Sequence, residues 1–140
     1  MKVVVLNNPA SGRGAAAGLA ERIASALTAD GHGVEALSIG EEGALAARLQ
    51  GAEALVLVGG DGTLHHALPA LIASRVPVYQ APRGTENLFA REYGMDAQVA
   101  TLRRGLARGE VVDTDGGVAT TGDGAERAFA IMCSVGPDAG

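Results

Sequence analysis

The sequence holds one cysteine, Cys133, no tryptophan and only 3% aromatic residues. A lone cysteine closes no internal disulfide and supplies no spaced metal ligands, so an intracellular, cytoplasmic setting is expected. With few rings available, the 47% of apolar residues are chiefly alanine, valine and leucine, which suits helices packed closely on a sheet. Positive charge is also short. Eleven Lys and Arg against sixteen Asp and Glu leave a formal net charge of -5, with no basic stripe to neutralise a nucleic-acid backbone. Nucleic acid is therefore not an expected partner, although a local anion site is compatible with that balance. Long hydrophobic runs are missing too. The first, within MKVVVLNNP, breaks at asparagine and proline, well short of the roughly 18 apolar residues of a membrane span. Any membrane contact is expected to be peripheral, at the inner face.

What the chain has in excess is glycine, 21 in 140 residues, without the G-X-Y period of collagen. Val3 to Leu6 reads as a buried strand ended by Asn7, Asn8 and Pro9. Leu19, Ile23 and Leu27 recur at helical spacing between Gly14 and Asp30, with Gly31 and Gly33 closing the helix. A strand is expected over Val34–Ile39, a short helix over Glu41–Gln50, and a strand over Ala54–Val58 whose unbroken apolar character implies cover on both faces. A helix from about Leu64 to Ala73 should kink or break near Leu68, before Pro69. A strand at Val76–Gln80 and helices over Thr85–Tyr93 and Gln98–Arg108 follow. Short strands are then expected at Val111–Val112, after a turn at Asp115-Gly116-Gly117, and over Ala128–Cys133.

Alternating strands and helices predict an α/β fold over residues 1–109: an open, mostly parallel sheet flanked by helices and joined by right-handed crossovers. Residues 110–140 read as antiparallel strands leading toward a second, β-rich domain. Such strands need a larger sheet to cover them, so the 140 residues are read as a fragment whose open strand edge favours self-association. The alternatives are that a partner supplies the missing strands, or that these strands extend the main sheet and complete the chain.

Three junctions share a design. Asn8-Pro9-Ala10-Ser11-Gly12 follows the first strand, Gly59-Gly60-Asp61-Gly62-Thr63 the third, and Pro82-Arg83-Gly84-Thr85-Glu86-Asn87 the fourth. In a parallel sheet all three lie at the carboxyl ends of strands, where ligands bind. Glycines there let backbone approach a ligand closely, and a helix start offers free N–H groups to an anion. Ser11, Thr63 and Thr85 are alternatively plain helix caps. GRGAAAG, Gly12 to Gly18, spaces its last glycine too far for a dinucleotide fingerprint, and no phosphate-loop lysine is present.

Asp61, flanked by Gly60 and Gly62, has three readings. It orients a hydroxyl or a basic side chain, approaches Mg²⁺ beside phosphates, or fixes the turn. The ligand-facing readings are favoured, and Asp61 is the candidate catalytic residue. Arg13, Arg83 and Arg91 are the cations placed to meet phosphates. His65 and His66 cannot both face a cleft, and neither has a metal-ligand companion. His32 reads as a turn residue; Tyr79, Phe89, Tyr93 and Cys133 read as packing.

NPASG at Asn8–Gly12, GGDGT at Gly59–Thr63 and PRGTENLFAR at Pro82–Arg91 together resemble the diacylglycerol kinase catalytic-domain family. Its members include bacterial lipid kinases and the sphingosine and ceramide kinases, with NAD kinases and phosphofructokinases as distant kin. GGDGT alone also fits NAD kinase, whereas Gly84-Thr85-x-Asn87 followed by Phe89-Ala90-Arg91 resembles the lipid-kinase branch. The resemblance implies an ATP- and Mg²⁺-dependent transfer of the γ-phosphoryl group to a lipid hydroxyl, with no dedicated protein metal site assigned. It implies nucleotide contacts from Asn8, Pro9, Ser11, Gly12, Arg13, Gly59, Gly60, Gly62, Thr63, Gly84, Thr85 and Asn87. A non-catalytic nucleotide-binding module is the reading from another class.

Two departures stand out. The family's Asn-Glu after GGDGT is replaced at His65-His66, and its Gly-Asn-Asp by Glu86-Asn87-Leu88, so two acidic positions are absent. Ser134 to Gly140, SVGPDAG, resembles the segment leading into the family's β-sandwich domain, which supplies much of the acceptor surface and an acidic catalytic residue. The chain is thus expected to be the nucleotide half of a kinase, inactive by itself.

Overall fold

The computed structural model describes residues 1–41 and 43–131. Strands β1 (Lys2–Asn7), β2 (Gly33–Ser38), β3 (Ala54–Gly59) and β4 (Val78–Pro82) form one sheet in the order β2-β1-β3-β4, and every neighbouring pair is parallel. Between and after them lie helices α1 (Ala15–Ala29), α2 (Leu45–Arg48), α3 (Asp61–Ser74), α4 (Leu88–Glu92) and α5 (Val99–Arg108). An antiparallel pair, β5 (Gly117–Thr120) and β6 (Glu126–Phe129), stands apart from the main sheet.

Side chains along a strand point alternately to its two faces. Val3, Val5, Val56 and Val58 enter the layer containing α1 and Leu102 of α5, while Val4, Leu6, Leu55 and Leu57 enter the layer containing α2 and α3. Both faces are covered, which explains the unbroken apolar runs of β1 and β3. On α1 the helical spacing puts Leu19, Ile23 and Leu27 on the sheet, each no more than 1% exposed. Truncating any of them to alanine would cost about 2–5 kcal/mol.

Several element bounds differ from the sequence reading, each for a local reason. The α1 helix starts after Gly14, because Gly12, Arg13 and Gly14 take left-handed φ values of 60°, 55° and 89° that a right-handed helix cannot contain. The expected helix over Glu41–Gln50 shrinks to the single turn of α2, since Gly43 has φ 63°. Asn87 at φ 52° likewise confines α4 to Leu88–Glu92. In α3 the expected break does not occur. The helix starts at Asp61, so the end of GGDGT is its first turn, and it continues through Pro69 to Ser74. Proline there withholds one N–H from a carbonyl on an exposed stretch, which water can satisfy. Val111 and Val112 form no strand and are 62% and 73% exposed. β6 takes the place of the expected strand from Ala128, and Cys133 and Ser134–Gly140 lie outside the described residues.

The strand order places the site. The chain leaves β1 to build α1 on one face, and leaves β3 to build α3 on the other. Between these two neighbouring strands the connections diverge, which puts the topological switch point at their carboxyl ends. The Asn8 and Gly60 junctions flank it.

Candidate functional site

The loop after β1 is built by its own backbone. The Asn8 N–H continues the ladder by donating to the Val58 carbonyl at 3.1 Å. The Asn8 carbonyl accepts from Ser11 N–H at 2.9 Å, and its side-chain Oδ1 accepts from Ala10 N–H at 3.1 Å. This turn delivers the left-handed Gly12-Arg13-Gly14 run to the start of α1, and no side chain caps that helix. Pro9, Gly12 and Arg13 are exposed and Ser11 half-buried.

The loop after β3 is defined by what its glycines exclude. A Cβ on Gly59 would lie 2.1 Å from the Thr63 Oγ1, so Thr63 packs where a side chain at 59 would otherwise stand. A Cβ on Gly60 would lie 2.8 Å from the Gly84 Cα. The second and third junctions therefore touch backbone to backbone. The first and third also meet, since a Cβ on Gly12 would sit 3.1 Å from the Arg83 carbonyl oxygen.

Asp61 ties the second junction to the third. Its Oδ2 accepts from Leu88 N–H at 2.9 Å and its Oδ1 from Phe89 N–H at 3.3 Å, so its carboxylate caps α4 from another element. Each carboxylate oxygen keeps a further lone pair. Within the third junction, Asn87 Oδ1 accepts from Gly84 N–H and Asn87 Nδ2 donates to the Gly84 carbonyl, both at 2.8 Å. A short polar side chain tolerates the left-handed backbone this closure requires.

The expected residues thus converge, with a division of labour the sequence did not show. Gly59 and Thr63 are buried, Thr63 being 1% exposed, and Asn87 spends its amide on Gly84. The side chains of Thr63 and Asn87 shape the loops. Gly12, Arg13, Gly62, Gly84 and Thr85 are exposed at the loop surface. Nor do the three hydroxyls act as helix caps: Ser11, Thr63 and Thr85 make no side-chain capping bond on α1, α3 or α4. Arg13, Arg83 and Arg91 form no ion pair with a described residue, and the half-buried Arg83 has its Nε buried and unpartnered. Arg91 is exposed on α4, whose Phe89 and Ala90 are buried.

Two residues escaped the sequence reading. Asn7 Nδ2 donates to the Leu37 carbonyl at 3.0 Å and to Ser38 Oγ at 3.2 Å, joining the ends of β1 and β2. Gln80, fully buried in β4, donates from Nε2 to the Gly59 carbonyl at 3.3 Å. A glutamine inside the apolar stretch VPVYQAP was the available signal.

Beside these loops, on the α3 side, runs a groove of about 360 Å³ with Leu64, Leu68, Leu88, Phe129 and Ile131 in its walls. Asp61, His65 and Glu86 also line it. It adjoins the glycine junctions through Asp61 and Gly62, so a polar loop cluster and an apolar trough share a border.

A four-stranded parallel sheet covered by helices on both faces defines an α/β domain of the open-sheet class. The diacylglycerol kinase catalytic-domain model matches residues 2–119, and the chain belongs to that family. A diacylglycerol kinase of Mycobacterium tuberculosis (strain H37Rv) is 35% identical over 99 residues, covering 67% of this chain and 32% of the relative. An uncharacterised Synechocystis protein is 35% identical over 69 residues, 46% of this chain and 16% of its own length. Two solved structures of a candidate diacylglycerol kinase from Bacillus anthracis str. Sterne superpose with TM-scores of 0.63 and 0.64 at 23% identity. They cover 89% and 91% of this chain and 44% and 47% of theirs. The chain thus spans about a third of the length of its Mycobacterium relative. Among the described residues no helix is long and apolar enough to cross a membrane.

Proposed function

We propose that this chain is the nucleotide-binding half of an ATP-dependent lipid kinase, with the three glycine junctions holding the nucleotide phosphates. The observation that carries this reading is that Gly12 and Gly60 each lie against the third loop, at Arg83 and at Gly84. The loops that follow three strands meet there at close range, beside the uncapped amino terminus of α1. Free N–H groups and the helix dipole attract an anion, and the Arg83 guanidinium, in no ion pair with a described residue, offsets its charge.

ATP fits this donor set. Among the described residues no cluster of three or more His, Cys, Asp or Glu could cage a metal. Mg²⁺ needs none, because it is commonly held by phosphates with one or two carboxylates. Asp61 is the carboxylate at the junction. When bound, the ion would supply charge neutralisation. The chain's own contribution is positioning: the loop N–H groups orient the phosphate chain, and Arg13 and Arg83 offset its charge.

The acceptor is proposed to be a lipid hydroxyl, supported by the apolar trough beside Asp61. An NAD acceptor would instead need polar contacts for base and ribose. In the transfer, the acceptor oxygen forms a bond to the γ-phosphorus and the bond to the ADP oxygen breaks. The hydroxyl proton passes to a base or to water. Residues from 110 onward are proposed to begin a second, β-rich unit that completes the acceptor surface. The pair β5–β6, which joins no strand of the main sheet, and the exposed Val118 and Ile131 support this, as does the share of its relatives that the chain spans. The setting is proposed to be cytoplasmic, with peripheral contact at the membrane bearing the acceptor.

The test is a phosphoryl-transfer assay of the full-length gene product with γ-labelled ATP and vesicles containing diacylglycerol. Label in the lipid fraction supports the kinase. Nucleotide binding without transfer to diacylglycerol or to other hydroxyl lipids would favour a binding module instead.

A further inference from the structure

Gln80 sits where an aliphatic residue would be expected. It lies in β4 opposite Leu57 of β3, on the face covered by α3, and is 0% exposed. Its backbone N–H meets the Met95 sulfur at 3.1 Å, and its side-chain Nε2 donates to the Gly59 carbonyl at 3.3 Å. Its Oε1 is buried without a partner, as is the Thr63 Oγ1 packed against Gly59. Burying an unsatisfied amide oxygen opposes folding, so the stability of the sheet does not account for this residue.

The Gly59 carbonyl accepts a second bond, from Arg83 N–H at 3.0 Å. Both donors approach from the β4 side. A trans peptide is planar, so the carbonyl of one residue and the N–H of the next point in opposite directions, and no cis peptide bond occurs among the described residues. Holding the Gly59 carbonyl toward β4 therefore turns the Gly60 N–H toward β1. That is the switch point between the first and second junctions. Arg83 belongs to a loop, whereas Gln80 belongs to a buried strand and is the rigid anchor of the two.

We propose that Gln80 is a positioning residue, a buried amide that clamps the Gly59–Gly60 peptide so that the Gly60 N–H faces the nucleotide phosphates. The claim rests on the nucleotide-binding reading above for its ligand, but not for the clamp itself. It is tested on this chain with Gln80→Leu, and with Gln80→Met in case the branched side chain does not fit. Thermal midpoint, affinity for Mg-ATP, and hydrogen exchange of the Gly60–Thr63 amides without nucleotide are measured together. The expected result is a midpoint equal to or above the parent's, faster exchange at Gly60, and affinity weakened about five- to tenfold, the scale of one neutral hydrogen bond. Unchanged exchange and affinity in a folded variant would overturn it. So would a lowered midpoint with unchanged affinity, which marks a merely structural residue. If the parent chain binds no nucleotide, the nucleotide-binding reading fails by itself, and exchange at Gly60 alone decides the clamp.

Discussion

Gly60 and Gly84, 24 residues apart in the chain, lie against each other with no side chain between them. A Cβ on Gly60 would come within 2.8 Å of the Gly84 Cα, and one on Gly84 within 2.6 Å of the Gly60 Cα. This contact fixes the spacing of two strand-end loops, and the account of the site depends on it.

Alanine at either position forces two backbones apart. Gly60→Ala and Gly84→Ala are each expected to destabilise the chain by about 1–3 kcal/mol, as overpacking does, and to abolish measurable nucleotide binding. Gly62 is the control for stability alone, since its added Cβ would meet nothing within 4 Å. Gly62→Ala, in the first turn of α3, should be neutral or slightly stabilising. Denaturant midpoints and calorimetric titration of the three variants check this contrast.

Asp61→Ala removes the acceptor for two N–H groups of α4. A loss of about 1–2 kcal/mol is expected, the usual range for a helix cap. Asp61→Asn, keeping one acceptor oxygen, should fall between parent and alanine in urea unfolding. Equal stability of all three would remove the capping role.

Arg83→Leu keeps apolar bulk and deletes the guanidinium with its orphaned Nε. Affinity should fall most for ATP, less for ADP and least for adenosine, and the salt dependence of ATP binding should flatten. An equal loss for all three ligands would assign Arg83 to loop shape instead.

Tyr79 gives a pH dependence with a definite sign. Burial raises its hydroxyl pKa above 10.0, and the hydroxyl bonds to both the carbonyl and the N–H of Asp96, at 3.0 and 3.1 Å. The folded state keeps the proton longer than the unfolded chain does. The stabilisation is therefore complete below the unfolded value near 10 and is lost as pH rises toward the folded value. Urea midpoints between pH 9 and 11 should fall more steeply for the parent than for Tyr79→Phe.

The layers of the fold were legible because β1 and β3 are unbroken apolar runs and α1 carries Leu19, Ile23 and Leu27 at helical spacing. Helix starts were misplaced wherever a left-handed residue intervened, as at Gly43 and Asn87. Asparagine and glycine permit that conformation without announcing it. The GGDGT and PRGTEN motifs were legible as junctions. The sequence reading did not settle the inward use of Asp61 on α4, or foresee the closure of Asn87 on Gly84 and the service of Gln80 to Gly59. Those depend on which strand lies beside β3, a relation made only when the sheet assembles.

The most direct measurement is an amide chemical-shift map of ¹⁵N-labelled chain titrated with Mg-ATP. The account predicts saturable shifts concentrated at Gly12–Gly14, Gly60–Gly62 and Gly84–Thr85, with α5 and the β5–β6 pair little affected. Shifts confined to other surfaces, or none in a folded chain, would contradict a nucleotide site at the three junctions.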